Sequence, residues 1–443
     1  MSENTILITT DALRKDHLSQ YGYHRDTFPE IDTLLDSGRG QQFDHAYANG
    51  SYTKVSVPSF LTSRLNGVAH VESGPTIASV FSDAGFDTLG VHSNTWLSND
   101  FDGFHGFDTF IEFTEDDEAW SGENSDSKAS QLVQWLEAQF GEFVSRSEIA
   151  TKFVKRYIPS GLRHSATPYV DAEKTTNTVI NWLNSHSNRP FFIWVHYMDP
   201  HRPFGISSNH YLNQKVSSDE VHSLMSKAGA SPDKLTEEEE EIIIDLYDSD
   251  IRFMSSHIQR LFEYLKANNL YKNTNIALTS DHGEELGEHG MYFHRNKPYG
   301  ELINVPLFIK SSTKIDAEIS QLIDIGPTLA DLQGINIPST FEGSSLLENS
   351  SDVAVSSGYI GERDYISVTD SDHKLIQRVN DPSENELYEL SASGYELNEI
   401  HDTQIRDSLR KYISNKDDLE FSGPSLSDDD NSVEERLEDL GYL

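Results

Sequence analysis

The sequence predicts an α/β protein: a large, mainly parallel sheet flanked by helices, with a small C-terminal α+β subdomain. Three observations carry this. Apolar runs of strand length alternate with amphipathic stretches of helix length over most of the chain. Three of those runs pass directly into an acid or an imidazole, at Asp11, His196 and Asp281, as expected where strands of such a sheet end at a ligand site. After Gly334 the pattern changes to short strands such as Lys374-Leu375-Ile376.

Taken in order, Thr5 to Thr10 reads as a first buried strand ending at Asp11. Thr88 to Val91, Phe191 to Val195, Ile276 to Thr279 and Val305 to Ile309 read as further strands. The clearest helix runs from about Thr236 to Leu265. Thr236 and Glu239 form a capping-box pair. Ile244, Tyr247, Ile251, Met254, Ile258, Leu261 and Leu265 then make one apolar stripe. This organisation implies a catalytic domain over residues 1–335, with a polar, irregular insertion at 112–168. A C-terminal subdomain follows at 336–421, and residues 422–443 form an acidic linker and a terminal helix, Val433 to Leu440. No internal repeat is apparent.

Composition narrows the function classes. The 443-residue chain carries 73 Asp+Glu against 34 Lys+Arg, a formal charge of -39. A field of that sign repels nucleic acid and anionic lipid, so neither is an expected partner. The acids are dispersed along the chain rather than gathered in a tail. This suits a protein that stays hydrated in molar salt, where charges are screened within ~3 Å, so a halophilic source with an acidic proteome is expected. Cysteine is absent, which excludes disulfides, thiolate metal sites and any cysteine-derived catalytic group. The N-terminus has no basic, signal-like start, and no apolar stretch approaches the ~20 residues of a membrane span. The expected location is the cytoplasm, and oligomeric state is left open.

The most informative stretch is Ser280-Asp281-His282-Gly283-Glu284-Glu285-Leu286-Gly287-Glu288-His289-Gly290. It sets a carboxylate and an imidazole side by side at a strand end, followed by glycines and more acids. Asp11, Asp281 and His282 together offer the oxygen and nitrogen donors that a divalent cation takes. Calcium, magnesium or manganese suits the carboxylates, and the histidine also admits zinc. A hydroxyl bound to such an ion becomes a nucleophile. Ser56 is the expected nucleophile and metal contact, with Thr53, Ser51 and Ser59 as competing hydroxyls. His201 is the expected proton donor to the leaving alcohol, and His289 and His294 are expected beside the anion. Arg14, Asn94, His196 and Lys297 are the expected substrate contacts.

These segments, in this order, resemble the sulfatase branch of the alkaline phosphatase superfamily. Tyr247 to Arg252, Asn304-Val305-Pro306-Leu307, Asp324 to Leu329, Phe341 to Leu346 and Glu386 to Leu390 extend the likeness along nearly the whole chain. The resemblance implies a metal-dependent hydrolase of sulfate esters on an alkaline phosphatase/sulfatase-like fold, acting on a small-molecule or glycan substrate. Three departures qualify it. The family's Cys/Ser-x-Pro-x-Arg signal, which directs formylglycine formation, is matched by Ser56-Val57-Pro58-Ser59 but with Phe60 in place of Arg. Formylglycine is therefore not expected, and the nucleophile stays a plain hydroxyl. The Gly-Lys-Trp-His segment is represented only by Gly90-Val91-His92-Ser93-Asn94, and the paired Asp-Asp by Asp11-Ala12. These departures bring the chain closer to phosphodiesterase and phosphoglycerol-transferase relatives, which work through a covalent Ser or Thr ester. A third alternative is a non-catalytic binder of sulfated or phosphorylated glycans.

Overall fold

The computed structural model describes residues 3–36, 38–67, 74–94, 97, 105–113, 169–186, 189–205, 210–212, 216–294, 297–348, 351–360 and 363–414. The expected insertion lies outside them except Glu112 and Phe113, as do the acidic linker and the helix Val433 to Leu440.

The strands up to residue 321 are β1 (Asn4–Thr10), β2 (Gly40–Phe43), β3 (Ala46–Tyr47), β4 (Asp87–His92), β5 (Thr109–Glu112), β6 (Phe191–Tyr197), β7 (Thr274–Ser280), β8 (Glu285–Leu286), β9 (Tyr292–Phe293), β10 (Leu307–Lys310) and β11 (Ser320–Gln321). Seven of them form one sheet in the order β2-β10-β7-β1-β6-β4-β5. From β7 to β5 every pairing is parallel, whereas β10 runs antiparallel to both β7 and β2. The sheet is mixed but mainly parallel, as expected. Its central strands are near-continuous apolar runs because helices cover both faces.

Side-chain alternation assigns the two faces. Ile6 and Ile8 of β1, Ile193 and Val195 of β6, and Ile276 and Leu278 of β7 pack with the helices Ala172–Ser185 and Glu237–Ala267. Leu7, Phe192, Trp194 and Ala277 point the other way and pack with Val57, Phe60 and Leu61 of the helix Thr53–Thr62. The long helix carries the capping box read from Thr236 and Glu239. Its stripe is buried from Tyr247 to Leu265, whereas Ile244 at its start is only half-buried against the core.

The C-terminal part is a five-stranded antiparallel sheet in sequential order: β12 (Ala354–Ile360), β13 (Arg363–Thr369), β14 (His373–Arg378), β15 (Asp381–Leu390) and β16 (Glu396–Glu399). The helix Thr403–Ser414 covers one side, with Leu409 in the core it shares with Val368 and Leu375. This sheet is stitched to the first. Ser51 N–H donates to Ser357 O at 2.9 Å, and Ser357 N–H to Asn49 O at 3.0 Å. Asn49 Nδ2 donates to Val355 O and Gln321 Oε1, at 2.9 and 3.1 Å. No helix among the described residues is long and apolar enough to cross a membrane.

Candidate active site

Register and alternation build the site. Thr9 of β1 pairs with His196 of β6, and Thr10 pairs with Ser280 of β7. Just past the strand ends, Asp11 N–H still donates to Tyr197 O (2.8 Å) and Asp281 N–H to Thr10 O (3.0 Å). Asp11, His196 and Asp281 have the parity of Leu7, Trp194 and Ala277, so all three fall on the face covered by the helix Thr53–Thr62. All three are fully buried.

The hydroxyl that meets them is that of Thr53, at the first turn of that helix. Thr53 Oγ1 lies 3.2 Å from Asp11 Oδ2 and 3.1 Å from His282 Nε2. Asn94, at the end of β4, donates to Asp11 Oδ2 at 2.9 Å and lies 3.5 Å from Thr53 Oγ1. His282 Nδ1 is 2.7 Å from Gly283 O, so its proton sits on Nδ1 and Nε2 turns a lone pair toward the carboxylates. Asp281 Oδ1 accepts from the backbone N–H of His282 and Ala12, at 2.8 and 3.3 Å. Ala12 reaches it with a left-handed backbone, φ 58°.

Ser56 does not stand where the sequence placed it. It lies one turn further along the helix, and its Oγ donates to the Asp281 carbonyl at 2.6 Å. That bond commits its hydroxyl to the strand end, and Thr53, one of the competing hydroxyls, is the one that meets the carboxylates. Pro58, read as part of a maturation signal, is inside the helix.

His201 and His294 join the cluster: the His282 and His294 rings are 4.8 Å apart, and those of His201 and His294 are 5.3 Å apart. His201 Nδ1 is 2.6 Å from Arg202 O, and His294 Nδ1 is 3.0 Å from Glu284 Oε1. Three other expected residues turn elsewhere. Arg14 holds Asp16 with Nε and Nη2, at 2.9 and 2.7 Å, and reaches Glu288 and the Glu284 carbonyl with Nη1, at 2.7 and 3.1 Å. It clamps the Asp281–Glu288 segment to the loop after β1. Lys297 pairs with Glu386 of β15 at 2.5 Å. His289 stacks on Tyr299 at 3.8 Å and faces Glu301 at 3.7 Å, a third of its side chain exposed. Asp16 is two residues from Arg14 and legible in the sequence, but Glu288 and Glu386 are 274 and 89 residues from their partners, which residue spacing does not reveal. Thr53 had a legible signal: it is the first helical residue after Asn49-Gly50-Ser51. Glu284 is fully buried against His294, a pairing that its place in a run of acids does not reveal.

The donor set fits a cation. Asp11 Oδ1 and Asp281 Oδ2 are buried without a hydrogen-bond partner among the described residues, although the other oxygen of each is well used. Asp11, His196 and Asp281 can each turn one ligand atom to a common point, with those atoms within 4.8 Å of one another. Burial, then the neighbouring Asp11 charge, pushes Asp281 well above the usual carboxylate range. Burial would raise Asp11 too, but His201, His196 and His282 hold it below that range. Burial lowers His282 and brings His201 down to about 4. Two adjacent buried carboxylates whose neighbouring His201 and His282 are disfavoured as cations are short of positive charge, which a divalent ion would supply.

The sulfatase family profile matches residues 3–335, and that of the N-sulphoglucosamine sulphohydrolase C-terminal region matches 287–419. An arylsulfatase of Clostridium perfringens is 26% identical over 394 residues, covering 78% of each chain. Among solved structures, the phosphonate monoester hydrolase of Agrobacterium radiobacter superposes with a TM-score of 0.64 at 19% identity, over 94% of each chain. A protein solved with its substrate D-glucosamine-2-N,6-O-disulfate gives 0.65 at 19% identity, over 94% of this chain and 99% of that one. A sheet that delivers Asp11 and Asp281-His282 beneath a helix N-terminus, on a chain matched by the family profile across the whole of that sheet, belongs to the sulfatase family of the alkaline phosphatase superfamily.

Proposed function

We propose that the chain is a metal-dependent hydrolase of sulfate esters, working through a covalent intermediate on Thr53. The observation that carries the reading is the convergence of Asp11, Asp281 and His282 on the Thr53 hydroxyl, within 3.2 Å for Asp11 and 3.1 Å for His282. The arylsulfatase likeness supports a sulfate ester, and a glycan ester in particular fits the second family match.

The divalent ion, when bound to Asp11, Asp281 and His282, supplies charge for the ester oxyanion and acidifies the hydroxyl beside it. Thr53 Oγ1 attacks sulfur, forming the Oγ1–S bond as the bond to the alcohol oxygen breaks. The helix N-terminus behind Thr53 favours the anion. The Thr53 proton passes to Asp11 Oδ2, 3.2 Å away, and returns to Oγ1 when that oxygen leaves, while His201, its Nδ1 held on Arg202 O, carries a solvent proton to the departing alcohol oxygen. Water then attacks sulfur, and Oγ1 leaves as the regenerated hydroxyl. Asn94 holds Asp11 Oδ2, which keeps Oδ1 turned to the ion.

One observation favours a second reading, phosphoester hydrolysis or transfer. A threonine has a methyl group on Cβ, so it cannot give the formylglycine aldehyde that Cys or Ser yields. A plain alkoxide makes an ester that must be resolved by attack at sulfur or phosphorus, and an acceptor alcohol can do this in place of water. Turnover of paired aryl sulfate and aryl phosphate mono- and diesters by wild type and Thr53→Ala tests both readings. Sulfate turnover lost in the variant supports the first, and phosphoester turnover lost supports the second. No turnover of either by wild type supports the glycan-binder alternative instead.

The reading includes a salt-adapted cytoplasmic protein. The dispersed charge of -39 supports the salt adaptation, and a melting temperature that climbs from dilute buffer to molar KCl would agree.

A further inference from the structure

His196 ends β6 opposite Thr9 of β1 and is fully buried. Its Nε2 lies 3.4 Å from Asp11 Oδ2. That is long for an imidazolium–carboxylate bond, which closes to ~2.7–2.9 Å. It suits two groups that share an ion: Asp11, His196 and Asp281 can each offer one ligand atom, all within 4.8 Å of one another. His282 Nε2 keeps the same spacing, 3.6 Å from Asp11 Oδ1 and 3.6 Å from Asp281 Oδ2.

The far nitrogen of each ring is anchored. His282 Nδ1–H donates to Gly283 O. His196 Nδ1 lies 2.9 Å from Thr9 Oγ1, which also accepts Trp194 Nε1–H at 3.0 Å and lies 3.5 Å from Val195 O. Ligation requires the tautomer in which the Thr9 hydroxyl donates to Val195 O and its oxygen accepts from both Trp194 and His196 Nδ1–H, which presents a lone pair at Nε2. Ligating histidines are oriented by such outer partners.

We propose that His196 is a protein ligand of the metal site, making the donor set two carboxylates and two imidazoles, and that the site therefore takes a nitrogen-accepting ion such as zinc in preference to calcium or magnesium. Alkaline-earth ions take oxygen donors, whereas imidazole suits zinc. The inference rests on the metal-dependent reading above, with Thr53 and the bound ester at the remaining positions.

The test is calorimetric titration of the full chain, stripped by chelation in molar KCl, with Zn(II) and with Ca(II). Wild type is expected to bind one zinc tighter than calcium. His196→Gln should weaken zinc by ~100-fold or more and calcium by less than about threefold. Thr9→Val, which keeps the ring and removes its anchor, should weaken zinc by ~10-fold. The Co(II) form should show two strongly shifted exchangeable imidazole N–H resonances, and His196→Gln one. Zinc binding unchanged in His196→Gln but lost in Asp281→Asn overturns the ligand role and leaves the metal-dependent reading standing. Calcium bound as tightly as zinc overturns the preference. Zinc bound normally by Asp281→Asn, or by neither variant nor wild type, overturns the metal-dependent reading itself. If His196→Gln fails to fold, the Thr9→Val titration and the wild-type Co(II) spectrum decide, a single shifted N–H overturning the proposal.

Discussion

Thr53 Oγ1 lies 3.1 Å from His282 Nε2, across the point where β1 and β7 end. The contact joins the first turn of a helix to a strand end more than two hundred residues away. It leaves the hydroxyl proton facing either a carboxylate or an imidazole, which is what a nucleophile needs.

Thr53→Ala should lower turnover by ~10³-fold or more while the protein still folds, and Thr53→Ser should keep a measurable part of it. Ser56→Ala removes a buried hydrogen bond and should cost about 1 kcal/mol of stability, with turnover within roughly an order of magnitude of wild type. Steady-state kinetics with denaturant unfolding separate the two residues. A dead Ser56→Ala and an active Thr53→Ala would return the nucleophile to Ser56.

Gly283 follows His282 where a Cβ would come within 2.0 Å of Glu301 O, a backbone atom that cannot yield cheaply. Gly283→Ala should cost about 1–3 kcal/mol. It should also weaken metal binding by ~10-fold or more, because Gly283 O orients His282. Unfolding free energy and metal affinity check both, and an unperturbed variant would show that the loop has room.

Arg14 spends its donors on Asp16, Glu288 and the Glu284 carbonyl. Arg14→Lys keeps the charge and loses the fork, so stability should fall by about 1–3 kcal/mol. KM, in contrast, should move by less than about threefold. A large KM rise with unchanged stability would restore Arg14 as an anion contact.

Asp324 accepts from the backbone N–H of Gln321 and Ser344, at 3.0 and 2.9 Å. Burial pushes it up to about 6 despite those bonds. Its folded value is above its unfolded value, so its stabilising share is complete below about pH 4 and is lost as pH rises through about 6. The stability of wild type relative to Asp324→Asn should therefore fall across that window, by roughly 2–3 kcal/mol at most. The slope of that difference in molar KCl is the readout, because the substitution itself adds a constant offset. A flat difference would mean that the two N–H donors outweigh burial.

The sequence by itself determined the sheet, its helical layers and the three polar residues at the strand ends. Apolar periodicity is a local property, and the two-residue repeat that buries Leu7, Trp194 and Ala277 on one face carries Asp11, His196 and Asp281 to that same face. The capping box at Thr236 was legible for the same local reason. Only the tertiary structure decided which hydroxyl meets the carboxylates. Thr53 and Ser56 lie three residues apart on nearly one helical face, so choosing between them means knowing the helix position along its axis to within about 4.5 Å. Packing of Val57, Phe60 and Leu61 on the sheet sets that position. Arg14, Lys297 and His289 went astray likewise, since charged side chains take whichever counter-charge folding brings near: Asp16 and Glu288 for Arg14, Glu386 for Lys297 and Glu301 for His289. Chemical type is written in a residue, but its partner is a consequence of long-range packing.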